Sequence, residues 1–174
     1  MRRPVVVIGG GTSGCTVAAL LAATTTREIV LIESGNVSTH DDEPRFMDVI
    51  SEENAPPFAM VSLVEDGIAV PYAQANVLGG GSAINGMILS GEPPASVEGL
   101  TRLANADEMG SVSRALLAAG GAPSRLWWNG GRWNPGRAVH HLVEEGRISL
   151  VKQDAVLLTG DSDAVHEVHT EDSV

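Results

Sequence analysis

Cysteine is almost absent from this sequence: Cys15 is the only one in 174 residues. A single thiol excludes an intramolecular disulfide and any multi-cysteine metal cluster, and it fits a reducing, cytoplasmic setting. Lysine is equally scarce, with Lys152 alone, and Lys plus Arg total 11 against 22 Asp plus Glu, a net charge of −11. That balance leaves no basic surface for nucleic acid. No apolar run reaches the roughly 18 residues of a membrane-spanning helix. The start, MRRPVVVIGGGTSGCTVAALLAA, sets two arginines ahead of an apolar stretch as a secretion signal does. Pro4 and the cluster Gly9, Gly10, Gly11 and Gly14 interrupt the continuous helix such a signal needs, so no targeting segment is expected.

What is present suffices for a core of ordinary size. With 43% hydrophobic residues, one compact α/β domain over residues 1–174 is the expectation. Pro4–Ile8 (PVVVI) is a β-branched run without polar alternation, as in a strand buried on both faces of a parallel sheet. Ser13–Ala23 is rich in Ala and Leu and predicts a helix. Glu28–Ile32 (EIVLI) predicts a second strand, completing residues 1–35 as a strand–helix–strand unit with a right-handed crossover. Residues 36–75 read as an acidic excursion, its carboxylates expected in solvent. In residues 76–90 a short helix is expected over GSAINGMIL, after the glycines. Residues 91–134 read as a connection, with a helix over ADEMGSVSRALLAAGG. Residues 135–174 predict a helix (GRAVHHLVEEG) and strands over RISLVK, AVLLT and AVHEVHT, the last two joined by a GDSD turn.

Two glycine-rich stretches carry the chemistry. The first, Gly9–Gly14, is G-x-G-x-x-G after a strand and opening a helix. Backbone amides at a helix start carry partial positive charge, and glycine lets a pyrophosphate approach them without a Cβ in the way. Glu33 follows at the end of the second strand, at the place where a carboxylate accepts hydrogen bonds from ribose hydroxyls and disfavours a 2′-phosphate. A tight turn with a solvated glutamate is the structural alternative. This half does not separate NAD from FAD.

The second stretch is NVLGGGSAINGM, Asn76–Met87. It is not a mononucleotide P-loop, because no G-K-[ST] ends it. Nor is it a nucleophile elbow, because GGSAING is not G-x-S-x-G. Apolar residues on both sides argue against a flexible linker.

VLGGGSAINGM resembles the first signature of the glucose-methanol-choline (GMC) family of FAD-dependent oxidoreductases, and VVIGGGTSGCTVAALLA…IVLIESG resembles that family's N-terminal FAD fingerprint. The resemblance implies a Rossmann-like FAD-binding domain, a parallel sheet with helices plus a small β-meander, with the substrate domain absent or vestigial. It implies that Gly9, Gly11, Thr12, Ser13, Gly14, Glu33 and Ser34 hold the dinucleotide, and that Leu78, Gly79, Gly80, Ser82, Asn85, Gly86 and Met87 lie near the flavin. ISLVKQDAVLL is similar to the family's later strand pair and places Val156 beside the adenine. Ile84 stands where some members attach FAD through a histidine, implying non-covalent FAD, and Leu89 replaces a common aromatic. The Trp-rich link SRLWWNGGRWNPGRAVHHLVEEG is similar to a bacterial branch associated with the peptide cofactor mycofactocin.

The family oxidises alcohols with a histidine base in its C-terminal portion, which this resemblance places beyond Val174. No catalytic residue is therefore assigned here. The expectation is a shortened FAD-binding part with a small-molecule alcohol as substrate. The alternatives are a catalytically incomplete fragment, or one subunit of a split enzyme whose second chain supplies the base. His140, His141, His166 and His169 are expected in surface or packing roles, and Trp127, Trp128 and Trp133 in packing.

Overall fold

The computed structural model describes residues 3–37, 50, 54–62, 67–85, 88–90, 100–103, 123–128, 133–162 and 164–171. The chain divides into two compact units, one from Met1–Val37, Ala75–Gly81 and Asn134–Val174, the other from Ser38–Gln74 and Ser82–Trp133.

In the first unit, β1 (Val5–Ile8), α1 (Thr12–Thr24) and β2 (Ile29–Ile32) form the expected strand–helix–strand. β1 and β2 are parallel, with Val5 opposite Ile29 and Ile8 opposite Ile32. A later strand, β8 (Ser149–Val151), joins the other edge of β2, also parallel, so the sheet order is β1-β2-β8. β2 is the central strand, and Ile29 and Leu31 are essentially fully buried. Each such side chain contributes about 1.5–3 kcal/mol through the area it removes from water.

The core lies on one face of this sheet. Cys15, Ala18 and Ala22 of α1 pack with Ile29, Leu31, Leu78, Ile148 and Val139, and Val5 and Val7 join from β1. Small residues along α1 let its backbone sit close to the strands. Val139 belongs to α3 (Pro135–Glu144), which packs against α1. α3 is capped by its own sequence: Asn134 precedes it and its Oδ1 accepts the Gly136 N–H at 2.8 Å, with Pro135 at the first helical position.

β1 differs from the expectation of burial on both faces. Val6 and Ile8 are 39% and 47% exposed, because they lie on the face of β1 opposite the one that Val5 and Val7 turn to the core. A β-branched run reports strand formation; it does not report how many layers cover the strand.

The C-terminal strands match the sequence pattern. β9 (Ala155–Gly160) and β10 (Val165–Thr170) are antiparallel. Their turn is closed by Asp161, whose N–H donates to the Ala164 carbonyl and whose Oδ1 accepts the Ala164 N–H, both at 3.0 Å.

The second unit holds strands the sequence pattern did not reveal. The acidic excursion contains an antiparallel pair, β3 (Pro57–Ser62) with β4 (Ala69–Ala73). The helix after the glycines is a single turn, α2 (Gly81–Ile84), and Ile88–Ser90 is instead a strand, β5. The connection contributes β6 (Leu100–Leu103) and β7 (Pro123–Trp128), arranged β5-β7-β6 with both pairings antiparallel. Trp127 and Trp128 therefore belong to a central strand. The helix expected over residues 106–121 and the charged residues of the 41–66 stretch lie outside the described residues.

Candidate functional site

The three motif glycines of the first loop do three different things. Gly9 has φ +88°, a conformation that L side chains rarely adopt, and its N–H continues the sheet by donating to the Ile32 carbonyl at 2.8 Å. Gly14 has no room for a side chain: a Cβ there would lie 1.8 Å from the Gly9 carbonyl oxygen. Gly11 is the N-cap of α1, has φ −68°, and a Cβ on it would meet nothing within 4 Å. Turn geometry requires the first glycine and helix packing the last, whereas nothing among the described residues requires the middle one.

The start of α1 is also chemically open. No side chain caps it and no acid lies in its first turn, in contrast to α3 with its Asn134 cap. The first-turn N–H groups of a helix lack intrahelical partners, and together they favour an anion. Thr12 and Ser13 at this turn are exposed.

The second loop is built directly onto the first. Gly79 donates its N–H to the Gly10 carbonyl at 2.7 Å, and the Thr12 hydroxyl donates to the Gly79 carbonyl at 3.2 Å. Gly80, at φ +56°, approaches so closely that a Cβ would lie 2.8 Å from the Gly11 Cα. From the other side α3 closes in, since a Cβ on Gly136 would lie 2.5 Å from the Leu78 carbonyl oxygen. The two glycine stretches, far apart in sequence, thus form one wall at the C-terminal ends of β1 and β2. In open α/β sheets that end is where ligands bind.

Glu33 stands beside this wall. Its Oε2 accepts the Gly10 N–H at 2.5 Å and its Oε1 the Gly35 N–H at 2.7 Å. Behind it the Cys15 thiol donates to the Gly10 carbonyl at 2.9 Å. Burial pushes that thiol up to about 11; the Gly79 N–H opposes the shift and the Glu33 charge adds to it. Cys15 is a neutral packing and hydrogen-bonding group, not a nucleophile.

The other residues singled out from the sequence are placed as follows. The Ser34 hydroxyl lies 3.4 Å from Asn76 Oδ1. Leu78 is 2% exposed and belongs to the core cluster, so its side chain supports the wall from behind. Ser82 lies in α2, Asn85 follows it and is exposed, and Val156 on β9 is 54% exposed. Gly86 and Met87 lie outside the described residues. His141 is exposed and faces Glu144 and Glu145, and His166 pairs with Asp161 at 2.8 Å, so both have surface roles. Trp133 is 48% exposed.

The sequence pattern missed two members of the wall. Gly35 and Gly136 make closer approaches than Gly80 does: a Cβ on Gly35 would lie 2.4 Å from the Val77 amide nitrogen. Their only signal was a glycine beside a strand end and a glycine inside a helix start. A separate cavity of about 490 Å³ lies at the opposite end of the strand–helix–strand unit, lined by Thr25, Arg27 and Arg147 among others. Both arginines there hold backbone carbonyls, Arg27 those of Arg3 and Pro4, Arg147 that of Ala22. Among the described residues no cluster of His, Cys, Asp and Glu could hold a metal ion. No helix among them is long and apolar enough to cross a membrane.

No protein-family model matches the sequence, and no curated relative does. Solved structures do match the fold. Pyridoxine 4-oxidase from Mesorbium loti aligns with 97% of this chain at a TM-score of 0.73 and 15% sequence identity. A variant of formate oxidase from Aspergillus oryzae RIB40, studied for FAD modification, aligns with 95% at a TM-score of 0.62 and 15% identity. The chain spans 46% and 41% of those two chains, less than half of either. Nearly the whole chain, with its parallel three-stranded sheet, therefore shares the fold of part of these two oxidases.

Proposed function

We propose that this chain is an FAD-binding oxidoreductase part of the glucose-methanol-choline type, with FAD held non-covalently. The observation that carries the reading is the open approach at Gly11. It is a glycine that neither backbone conformation nor packing against the described residues requires, at the uncapped start of α1, which is what a pyrophosphate needs. Gly9, Gly11, Thr12, Ser13 and Gly14 would hold that pyrophosphate, Glu33 and Ser34 the adenosine ribose, and Val156 the adenine. Gly79, Gly80, Ser82, Asn85, Gly86 and Met87, with Leu78 behind them, would wall the flavin. The second glycine stretch, locked onto the first, supports FAD over NAD, and the fold shared with two oxidases supports the same reading.

When bound, FAD supplies the hydride acceptor for oxidation of a CH–OH donor, and the substrate class is a small-molecule alcohol. The protein's own contribution is to fix the dinucleotide between rigid backbone groups. Ile84, half-buried in α2, offers no nucleophile for a covalent flavin link. A second reading, an FAD-binding chain that depends on another polypeptide for its catalytic base, is favoured by the positions of the described histidines. His140 and His141 lie on α3, and His166 and His169 on β10, none on the glycine wall.

The test is the visible spectrum of the purified chain. Flavin bands from a yellow protein, with the pigment released into the supernatant on heat denaturation, are the expected result. A colourless protein that takes up no added FAD overturns the proposal. Bleaching on anaerobic addition of alcohols then separates the two readings, since the dependent chain bleaches only when its partner is supplied.

A further inference from the structure

Gly10 is held through the peptide groups on both sides of its Cα. Its N–H donates to Glu33 Oε2, and its carbonyl accepts both the Gly79 N–H and the Cys15 thiol. The other Glu33 oxygen accepts the Gly35 N–H, which sits where the chain passes tightly against Asn76 and Val77. Gly10 itself is buried, and a Cβ on it would lie 2.8 Å from Leu78 Cδ1 and 2.9 Å from Glu33 Cγ. One carboxylate therefore holds the first glycine loop through Gly10 and, through Gly35, the backbone that lies against Asn76 and Val77.

We propose that Glu33 is a positioning residue, which fixes the first glycine loop, and through Gly35 the backbone packed against Asn76 and Val77, before any dinucleotide arrives. The fastening does not depend on the dinucleotide reading.

The chain carries its own reporter. Cys15 is the only cysteine, is buried, and donates to the Gly10 carbonyl, so its alkylation rate follows the position of the Gly10 backbone. The experiment compares iodoacetamide labelling of cofactor-free wild type, Glu33→Gln, Glu33→Asp and the exposed control Glu28→Gln, at fixed pH and below each protein's melting transition. Both amides are donors, so glutamine satisfies one and sets its own NH₂ against the other, and aspartate is too short to reach both. Loss of such charge-assisted bonds should raise labelling about tenfold or more in both Glu33 variants, with Glu28→Gln unchanged. In cofactor-free wild type, amide exchange at Gly10 and Gly35 should be slow.

Wild-type labelling rates in both Glu33 variants, or free-amide exchange at Gly10 and Gly35 in the folded wild type, overturn the proposal. If the Glu33 variants do not fold, wild-type exchange alone decides. An FAD titration runs beside it. A Glu33→Gln protein that loses FAD affinity without faster labelling shows that Glu33 acts on the ligand alone, which also overturns the proposal. A wild type that takes up no FAD removes the dinucleotide reading and leaves the labelling result standing.

Discussion

Gly80 lies so close to Gly11 that a Cβ on Gly80 would stand 2.8 Å from the Gly11 Cα, and Gly80 holds φ +56° as well. A side chain there is strained in its own backbone and collides with the neighbouring loop. Gly80→Ala should therefore lose about 1–3 kcal/mol of stability in chemical denaturation. Gly81, one residue on, has no neighbour within 4 Å of its Cβ position and begins α2. Gly81→Ala should leave stability unchanged or raise it by up to about 1 kcal/mol through helix propensity.

Gly11 and Gly14 separate binding from folding. Gly11→Ala fits without strain, so melting should stay within a few degrees of wild type while FAD affinity falls by about tenfold or more through blocked approach of the phosphates. Gly14→Ala drives a methyl into the Gly9 carbonyl and should unfold or severely destabilise the chain, by about 3 kcal/mol or more. Melting curves with and without FAD for the pair check both outcomes. Equal FAD affinity in Gly11→Ala and wild type contradicts the assignment of Gly11.

The Cys15 thiol sets an alkaline limit on stability. Its ordinary value of 9.0 is raised to about 11 by burial, so the unfolded chain ionises at lower pH than the folded one. The folded state thus gains stability that is fully present below about pH 9 and is lost as pH rises toward 11, at up to about 1.4 kcal/mol per pH unit. Urea denaturation at pH 8, 9, 10 and 11 should show this fall, and Cys15→Ala should flatten it.

Core and edge positions should respond differently to the same chemistry. Leu31→Ala, in the central strand with no exposed surface, should cost about 2–5 kcal/mol. Ile8→Ala, on the uncovered face of β1 at 47% exposure, should cost less than about 1.5 kcal/mol. Denaturant midpoints of the two variants give the comparison.

Helix α3 should depend on its cap. Asn134→Ala removes the acceptor for the Gly136 N–H and should cost about 1 kcal/mol. Asn134→Asp or Asn134→Ser restores most of it, which thermal denaturation of the three variants would show.

Much of this was legible in the residues themselves. The unbroken VVVI and IVLI runs, the Ala-rich helix between them and the glycines at fixed spacing specify local conformations, and local conformation is what short-range sterics decide. The parallel pairing of β1 with β2 followed from the length of the crossover. The hairpin of β9 and β10 followed from its GDSD turn. The β3–β4 pair and the β5-β7-β6 sheet were not legible, because their strands sit among acidic, proline-containing or irregular sequence. In the β5-β7-β6 sheet the pairing also joins residues distant in the chain, so no local period announces it. Two glycine motifs were expected as cofactor elements, the first from its spacing after a strand and the second from its resemblance to a family signature. That Gly79 bonds to Gly10, that Gly80 rests on Gly11 and that Glu33 accepts the Gly10 N–H are facts of tertiary approach. They depend on backbone groups meeting in space, and every residue carries the same backbone groups whatever its side chain.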